Sequence, residues 1–292
     1  MRVLKIFRNI ILFILIWAVT TAVIFSTAAF ICLKINKHLN ETVTVTRYTY
    51  TDPDIPSGFN GYKILVISDL HDAPFGDRII DLVREQDPDL IVMTGDMSQL
   101  PDSSVQESSK IGKAVGGDYP IYAVSGNHET QGGGYDEILA SWEWHNITPL
   151  ENDTVTLESG GDSILLIGLK DPKSDNVPED KLEAMREFVT GSLKEQKTFS
   201  ILLNHRSGLY PELKDTGVNL IISGDLHGGI VRLPFVGGLI GKSNELFPKY
   251  SYGYVKEGKS AAMIVSGGCD KNPRKVRFLN QPELVLITLK SS

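Results

Sequence analysis

The chain has 292 residues, of which 41% are hydrophobic and 22% charged, a composition that suits a folded globular protein. Of its two cysteines, Cys32 lies in an apolar stretch and Cys269 stands alone, which excludes a disulfide within the body and a thiolate zinc site. Residues 1–40 hold five basic side chains and no acid, leaving 24 basic against 36 acidic residues and a net charge near −12 beyond them. An acidic body does not attract nucleic-acid backbones through its overall field, so no nucleic-acid partner is expected.

From the N-terminus, residues 10–33 form a run of 24 without a charge, dense in Ile, Leu, Val, Phe and Ala. At ~1.5 Å per residue, such a helix crosses a ~30 Å hydrocarbon core with some tilt. A retained membrane anchor is the favoured reading. The competing signal peptide has an apolar region of only ~7–15 residues, and Ser26-Thr27-Ala28 is an imperfect cleavage site. A buried core helix would normally carry a polar face, and this run has none. Arg2, Lys5 and Arg8 precede the run and Lys34 and Lys37 follow it. That bias places the short N-terminus inside and the large domain on the extracytoplasmic side of the cell membrane, as a single-pass protein. The expected division is residues 1–40 as tip, anchor and linker, and 41–292 as one domain.

Beyond the anchor, residues 43–50 alternate as a half-buried strand does, and Pro53, Pro56, Ser57 and Gly58 mark a turn. One pattern then recurs. Short apolar runs at 64–67, 90–93, 121–124, 200–203 and 220–222 each end in polar residues. Helix-like segments at 78–86, 135–144 and 180–193 lie between several of them. Residues 155–157 and 164–169 read as a hairpin across Gly160-Gly161, and 262–266 and 283–289 as late strands. Strands alternating with helices predict an α/β domain with largely buried sheets.

The polar ends of those runs carry the chemistry. They are Asp69 and His71, Asp96, Asn127 and His128, His205, and Asp225 and His227; four of the six histidines fall in this set. Ligands gather at the carboxyl ends of strands in open α/β sheets. Carboxylate, imidazole and amide oxygens suit manganese, iron or zinc. Two divalent ions ~3.5–4 Å apart, sharing one carboxylate, can ionise a bridging water to attack a phosphorus.

Taken in order, Asp69-Leu70-His71, Gly95-Asp96, Gly126-Asn127-His128-Glu129, His205 and Gly224-x-x-His227 resemble the calcineurin-like metallophosphoesterase superfamily. More narrowly, the chain resembles its membrane-associated or exported bacterial branch of YkuE- and YaeI-type phosphodiesterases. The stretches Gly228-Gly229-Ile230-Val231-Arg232-Leu233-Pro234, Leu246-Phe247-Pro248-Lys249-Tyr250 and Val276-Arg277-Phe278-Leu279-Asn280-Gln281-Pro282-Glu283 match too, so the likeness covers roughly residues 43–292. The resemblance implies a four-layer α-β-β-α sandwich of two mixed sheets. It implies Asp69, His71 and His227 on a first metal, Asp96 as bridge, and Asn127 and His205 on a second. His128 would stay off the metals and serve the substrate as hydrogen-bond or proton donor. The implied cofactors are two divalent ions, manganese first, with iron, zinc or magnesium as alternatives.

One position departs from the pattern. The family usually reads Gly-His-x-His where this chain reads Gly224-Asp225-Leu226-His227. Asp225 is expected to replace the missing histidine as a harder oxygen ligand, shifting preference toward manganese or magnesium. Arg206 and Arg232 are candidate phosphate contacts but more often serve as structural arginines. Gly237-Gly238-Leu239-Ile240-Gly241-Lys242-Ser243 imitates a phosphate-binding loop, yet Val236 stands where its first glycine belongs. The expected function is metal-dependent hydrolysis of a phosphodiester or pyrophosphate, with a lipid-linked phosphate suggested by the anchor. The rival readings are a catalytically silent, membrane-anchored binding module on the same fold and a nucleic-acid exonuclease.

Overall fold

A computed structural model describes residues 2–99, 104–196, 198–233, 235–242, 244–271 and 277–292; Pro234, Ser243 and Val276 of the stretches quoted above lie outside them. In chain order the structure begins with helix α1 (Arg2–Leu39), β1 (Thr44–Asp52), β2 (Lys63–Ile67), α2 (Gly76–Gln86), β3 (Leu90–Thr94), α3 (Gln106–Val115) and β4 (Ile121–Val124). It continues through α4 (Asn127–Gln131), α5 (Tyr135–Trp144), β5 (Thr148–Pro149), β6 (Asp153–Ser159), β7 (Asp162–Gly168), α6 (Glu179–Glu195), β8 (Ser200–Arg206), α7 (Tyr210–Leu213) and β9 (Leu220–Gly224). The last elements are β10 (Val231–Leu233), β11 (Gly237–Ile240), β12 (Gly253–Val255), β13 (Ala262–Val265) and β14 (Glu283–Ser291).

Two six-stranded sheets result, in the orders β1-β14-β2-β3-β4-β5 and β12-β13-β9-β8-β7-β6. Both are mixed: β2, β3, β4 and β5 run parallel, as do β7, β8, β9 and β13, while β14 is antiparallel to β2 and β6 to β7. Strands buried on both faces are largely apolar, which is why β3 and β9 begin as hydrophobic runs and turn polar only at their carboxyl ends.

Alternate residues then serve different layers. Ile64, Val66, Val92, Ile201, Leu203, Ile222 and Ile287 meet between the sheets. Their neighbours Leu65, Ile67, Ile91 and Met93 face the other way, against Ile79, Val83, Ile111 and Trp142 of α2, α3 and α5. On the far side Ile167, Leu202 and Ile221 pack against Val189 of α6 and Tyr210 and Leu213 of α7. The four-layer sandwich is therefore present. Sequence periodicity did not disclose α3 or the β10–β11 hairpin, the latter because its strands are short and interrupted by glycines.

Helix α1 stands apart from these layers. Within Leu4–Leu39 an 18-residue window reaches a mean hydropathy of 2.4 and none of it is buried, so the helix is long and apolar enough to cross a membrane. It joins the body at its C-terminal end. Asn36 is buried there, donating to the Arg277 carbonyl (2.9 Å) and accepting from the Leu279 N–H (2.8 Å). Asn40 donates to the same Arg277 carbonyl at 2.7 Å.

Because Ile287 on β14 is fully buried between the sheets, Ile287→Ala should destabilise the folded chain by about 2–5 kcal/mol. Chemical denaturation followed by circular dichroism measures this; a loss below about 1 kcal/mol would mean that the inter-sheet core is not packed as described.

Candidate metal centre

Strands β2, β3, β8 and β9 deliver their carboxyl ends to one edge of the sandwich, and β4 brings α4 there. Strands β2, β3 and β9 stop where the backbone turns sharply. Asp69, His71, Asp96, Asp225 and His227 all have positive φ, between 49° and 78°. Side chains other than glycine hold that conformation at a cost of about 1–3 kcal/mol each, and such strain gathers at functional sites. Gly95, at φ 89°, is required by crowding as well: a Cβ there would lie 2.6 Å from His205 Nδ1 and 2.7 Å from the Gly126 nitrogen.

The side chains converge on Asp96. Its Oδ2 lies 3.5 Å from His205 Nε2, 3.7 Å from His71 Nε2 and 3.9 Å from His128 Nε2. His205 Nε2 is also 3.5 Å from Asp225 Oδ1, and His227 Nε2 is 3.9 Å from Asp69 Oδ1. The rings of His71 and His227 stack at 5.1 Å, and His128 meets His71 edge-on at 4.3 Å. Asn127 opens α4 between Gly126 and His128, whose backbone N–H donates to Asp96 Oδ1 at 2.8 Å. Seven of the eight residues singled out from the sequence thus meet through their side chains, and the eighth, Asn127, directly precedes His128, whose backbone N–H bonds Asp96.

These distances fit shared cations better than hydrogen bonds. Both ring nitrogens of His71 and Nε2 of His205 are buried without a hydrogen-bond partner among the described residues. Ligand atoms ~2.1 Å from a common ion lie roughly 3–4.2 Å apart, as these do. Three overlapping groups, Asp69–His71–His227, His71–Asp96–His128 and Asp69–Asp96–His205, each hold their ligand atoms within 4.8 Å of one another. No thiolate is present, and the donor set of imidazole and carboxylate suits divalent ions.

The surroundings fix the donors' orientation. His205 Nδ1 contacts the Thr94 carbonyl at 2.8 Å, which assigns the proton to Nδ1 and leaves the Nε2 lone pair facing Asp96. His227 Nδ1 lies 3.2 Å from Asp270, which in turn is paired with the buried Arg277. Ser68 and the Asp225 N–H both donate to the Asp69 carboxylate. Glu129, missed as a structural centre by sequence reasoning, accepts from the backbone N–H groups of Asp96 (2.9 Å), Gly126 (2.7 Å) and Ser98 (2.7 Å).

Ionisation follows from burial and neighbours. Burial lowers His71 to about 4 and lowers His128 as well, leaving both imidazoles neutral at neutral pH. Burial also opposes charge on His205 and His227, but Asp96 outweighs it at the first, and Asp270 and Asp69 at the second, so both are raised. Burial would raise Asp96, yet His205, His71 and His128 hold it well below the usual carboxylate range. Asp225 follows the same balance, with His205 and Lys242 prevailing over burial.

Lys242 is the second residue that sequence reasoning did not assign to the site. It sits in the stretch that imitates a phosphate loop, and its Nζ pairs directly with Asp225 Oδ1. Arg206 and Arg232 take structural roles. Arg206 is buried against Asp171 and Asp175, and Arg232 stacks on Tyr252 at 3.6 Å while donating to the Gly228 carbonyl.

Comparison with known proteins covers the same segments of the chain. The calcineurin-like phosphoesterase family model matches residues 62–229, a span holding every strand end of the site. The metallophosphoesterase YkuE of Bacillus subtilis is 30% identical over 263 residues, covering 87% of each chain. A metallophosphoesterase of Aquifex aeolicus is 28% identical over 263 residues, covering 84% of this chain and 91% of its own. Among solved structures, TT1561 of Thermus thermophilus aligns with a TM-score of 0.48 at 12% identity, over 72% of this chain and 91% of that one.

Glu129→Gln turns one of the two carboxylate oxygens toward backbone donors as an NH2 group. It should cost the metal-free protein about 1–3 kcal/mol of unfolding free energy, read by urea denaturation. An unchanged midpoint would show that Glu129 does not tie these loops together.

Proposed function

Since the chain belongs to the calcineurin-like phosphoesterase family, we propose that it is a membrane-anchored hydrolase of phosphodiesters or pyrophosphates that works with two divalent ions. The observation that carries this reading is the convergence of three imidazoles from separate segments on Asp96 Oδ2, at 3.5–3.9 Å. On this reading Asp69, His71 and His227 hold one ion, Asp96 joins both, and Asn127, His205 and Asp225 hold the other. When bound, the ions supply Lewis-acid charge toward phosphoryl oxygens and a nucleophile at neutral pH.

The chain's own groups do the rest. His128 has the most open of the four imidazoles, with 20% of its side chain exposed against 9%, 0% and 12% for His71, His205 and His227. It therefore faces the substrate, where its neutral ring donates an N–H hydrogen bond to a phosphoryl oxygen or to the leaving oxygen. Asp270 and Arg277 keep the His227 ring in register, and the Thr94 carbonyl does so for His205. Residues 1–40 form the anchor and 41–292 the catalytic domain, held on the extracytoplasmic face of the cell membrane.

Lys242 gives the departure at Asp225 a rationale. A carboxylate adds a negative charge where the family usually has a neutral imidazole, and the Lys242 ammonium offsets it. Manganese is the preferred ion on this basis, since a carboxylate is a harder donor than imidazole.

The full chain loaded with manganese should hydrolyse a chromogenic phosphodiester, and chelation should abolish that activity. His128→Ala should lower turnover about 10²–10⁴-fold with both ions retained; turnover equal to the parent's would remove His128 from the mechanism. Lys242→Met frees Asp225 from a competing charge-assisted bond and should tighten the weaker manganese site about tenfold or more in calorimetric titration. Weaker binding in that variant would show that Lys242 supports the site instead of competing in it.

A further inference from the structure

Outside α1, five of the described exposed large apolar side chains sit in one unit: Leu233, Phe235, Val236, Leu246 and Phe247; the others stand singly. Leu233 ends β10, and Phe235 and Val236 lie between it and β11. Leu246 and Phe247 lie on a third segment laid against β11, through the Ile240–Leu246 bridge and the Phe247 N–H to the Leu239 carbonyl at 3.0 Å. Phe235 is fully exposed, and Leu246 and Phe247 are 68% and 61% exposed. A soluble surface does not normally gather such side chains without a partner.

The root of this unit is joined to the end of α1. Phe278 exchanges backbone hydrogen bonds with β10, donating to the Ile230 carbonyl and accepting from the Arg232 N–H, both at 3.0 Å. Its two neighbours, Arg277 and Leu279, are the residues that Asn36 grips. One strand spacing of ~4.8 Å and three residues of strand at ~3.3 Å each put the tip within roughly 15 Å of Phe278, between the two residues that Asn36 holds. Lys34 and Lys37 lie exposed at the C-terminal end of α1, at the level where a spanning helix meets headgroups.

We propose that the β10–β11 hairpin with residues 246–247 is a second membrane contact, which dips its apolar tip into the leaflet beside α1. This rests on the anchored reading of α1 given above. The bilayer is favoured over a second copy of the chain because the anchor keeps the patch beside lipid in every molecule, whereas a second copy, though anchored too, must first meet it by diffusion in the membrane. The same unit walls the metal centre: Lys242 follows β11 and pairs with Asp225, and Arg232 donates to the Gly228 carbonyl at 2.7 Å, next to His227. Seating the hairpin in lipid therefore turns the metal cleft toward the membrane surface. Its substrate is a phosphate ester or pyrophosphate whose hydrocarbon tail stays in the leaflet.

The test uses the full chain in nanodiscs of phosphatidylcholine and phosphatidylglycerol, with an environment-sensitive fluorophore on single cysteines. Phe235→Cys, Phe247→Cys and, on the outer face of α6, Glu187→Cys are each made with Cys32→Ala; Cys269 is fully buried and stays unlabelled. Native Cys32, labelled in the parent chain, gives the reference inside the bilayer. A nitroxide on the lipid tails should quench positions 235 and 247 at least about half as strongly as Cys32, and position 187 hardly at all. Quenching at 235 and 247 no greater than at 187, with Cys32 quenched, would overturn the proposal. Shielding that rises with protein concentration and not with lipid would also overturn it, assigning the patch to a second copy. An unquenched Cys32 would remove the anchor and this proposal with it. Because no substrate is present, failure of hydrolysis with positions 235 and 247 quenched would count against the enzymatic reading alone.

Discussion

Three carboxylates, Asp69, Asp96 and Asp225, are buried at one edge of the sandwich among four imidazoles. Isolated negative charges in so dry a place cost several kcal/mol each, so the arrangement persists only with positive charge beside it. Lys242 and Arg277 supply part of that charge, and the neighbouring carboxylates shift His205 and His227 toward their charged forms. Two divalent ions, as proposed, would supply more and would leave the imidazoles neutral as donors. The rest of the fold serves this constraint. Parallel strands with fully buried backbones carry the acids to a common edge, and left-handed turns at Asp69, Asp96 and Asp225 aim them inward. The close approaches of Gly95 and Gly126 leave no room for larger residues between the β3 and β4 ends.

A continuous set of contacts runs from α1 to the site. Asn36 holds the backbone of Arg277 and Leu279, Arg277 pairs with Asp270, and Asp270 contacts His227. Asn280, three residues beyond Arg277, donates to the His227 carbonyl at 2.7 Å. The end of the apolar helix is thus built into the support of one proposed ligand and is more than a tether. On the anchored reading proposed above, a membrane position of α1 would bear on the orientation of the metal cleft through these contacts.

Much of this was legible in the sequence, for identifiable reasons. The five polar strand ends announced themselves because each follows an apolar run whose length and burial pattern dictate a strand, and the family grammar ordered them. The alternation of strands with helices gave an α/β domain with buried sheets, and the four layers came from the family resemblance. What stayed hidden involves partners distant along the chain. Lys242 meets Asp225 across 17 residues, Asp270 meets His227 across 43, and Asn36 meets Leu279 across 243. No local pattern encodes such pairs. Lys242 was further disguised by its glycine-rich setting, which imitates a phosphate loop but forms the second strand of a hairpin. The triad of backbone bonds on Glu129 was equally silent, since a glutamate after histidine looks like an ordinary helix start.

The central claim is that Asp96 joins two ions, and counting metal tests it most directly. The full chain, equilibrated with manganese and freed of excess by dialysis, should carry two ions per chain by elemental analysis. Asp96→Ala should lower that count, because both sites lose the same carboxylate. A parent protein holding fewer than two ions, or an Asp96→Ala variant holding as many as the parent, would contradict the account.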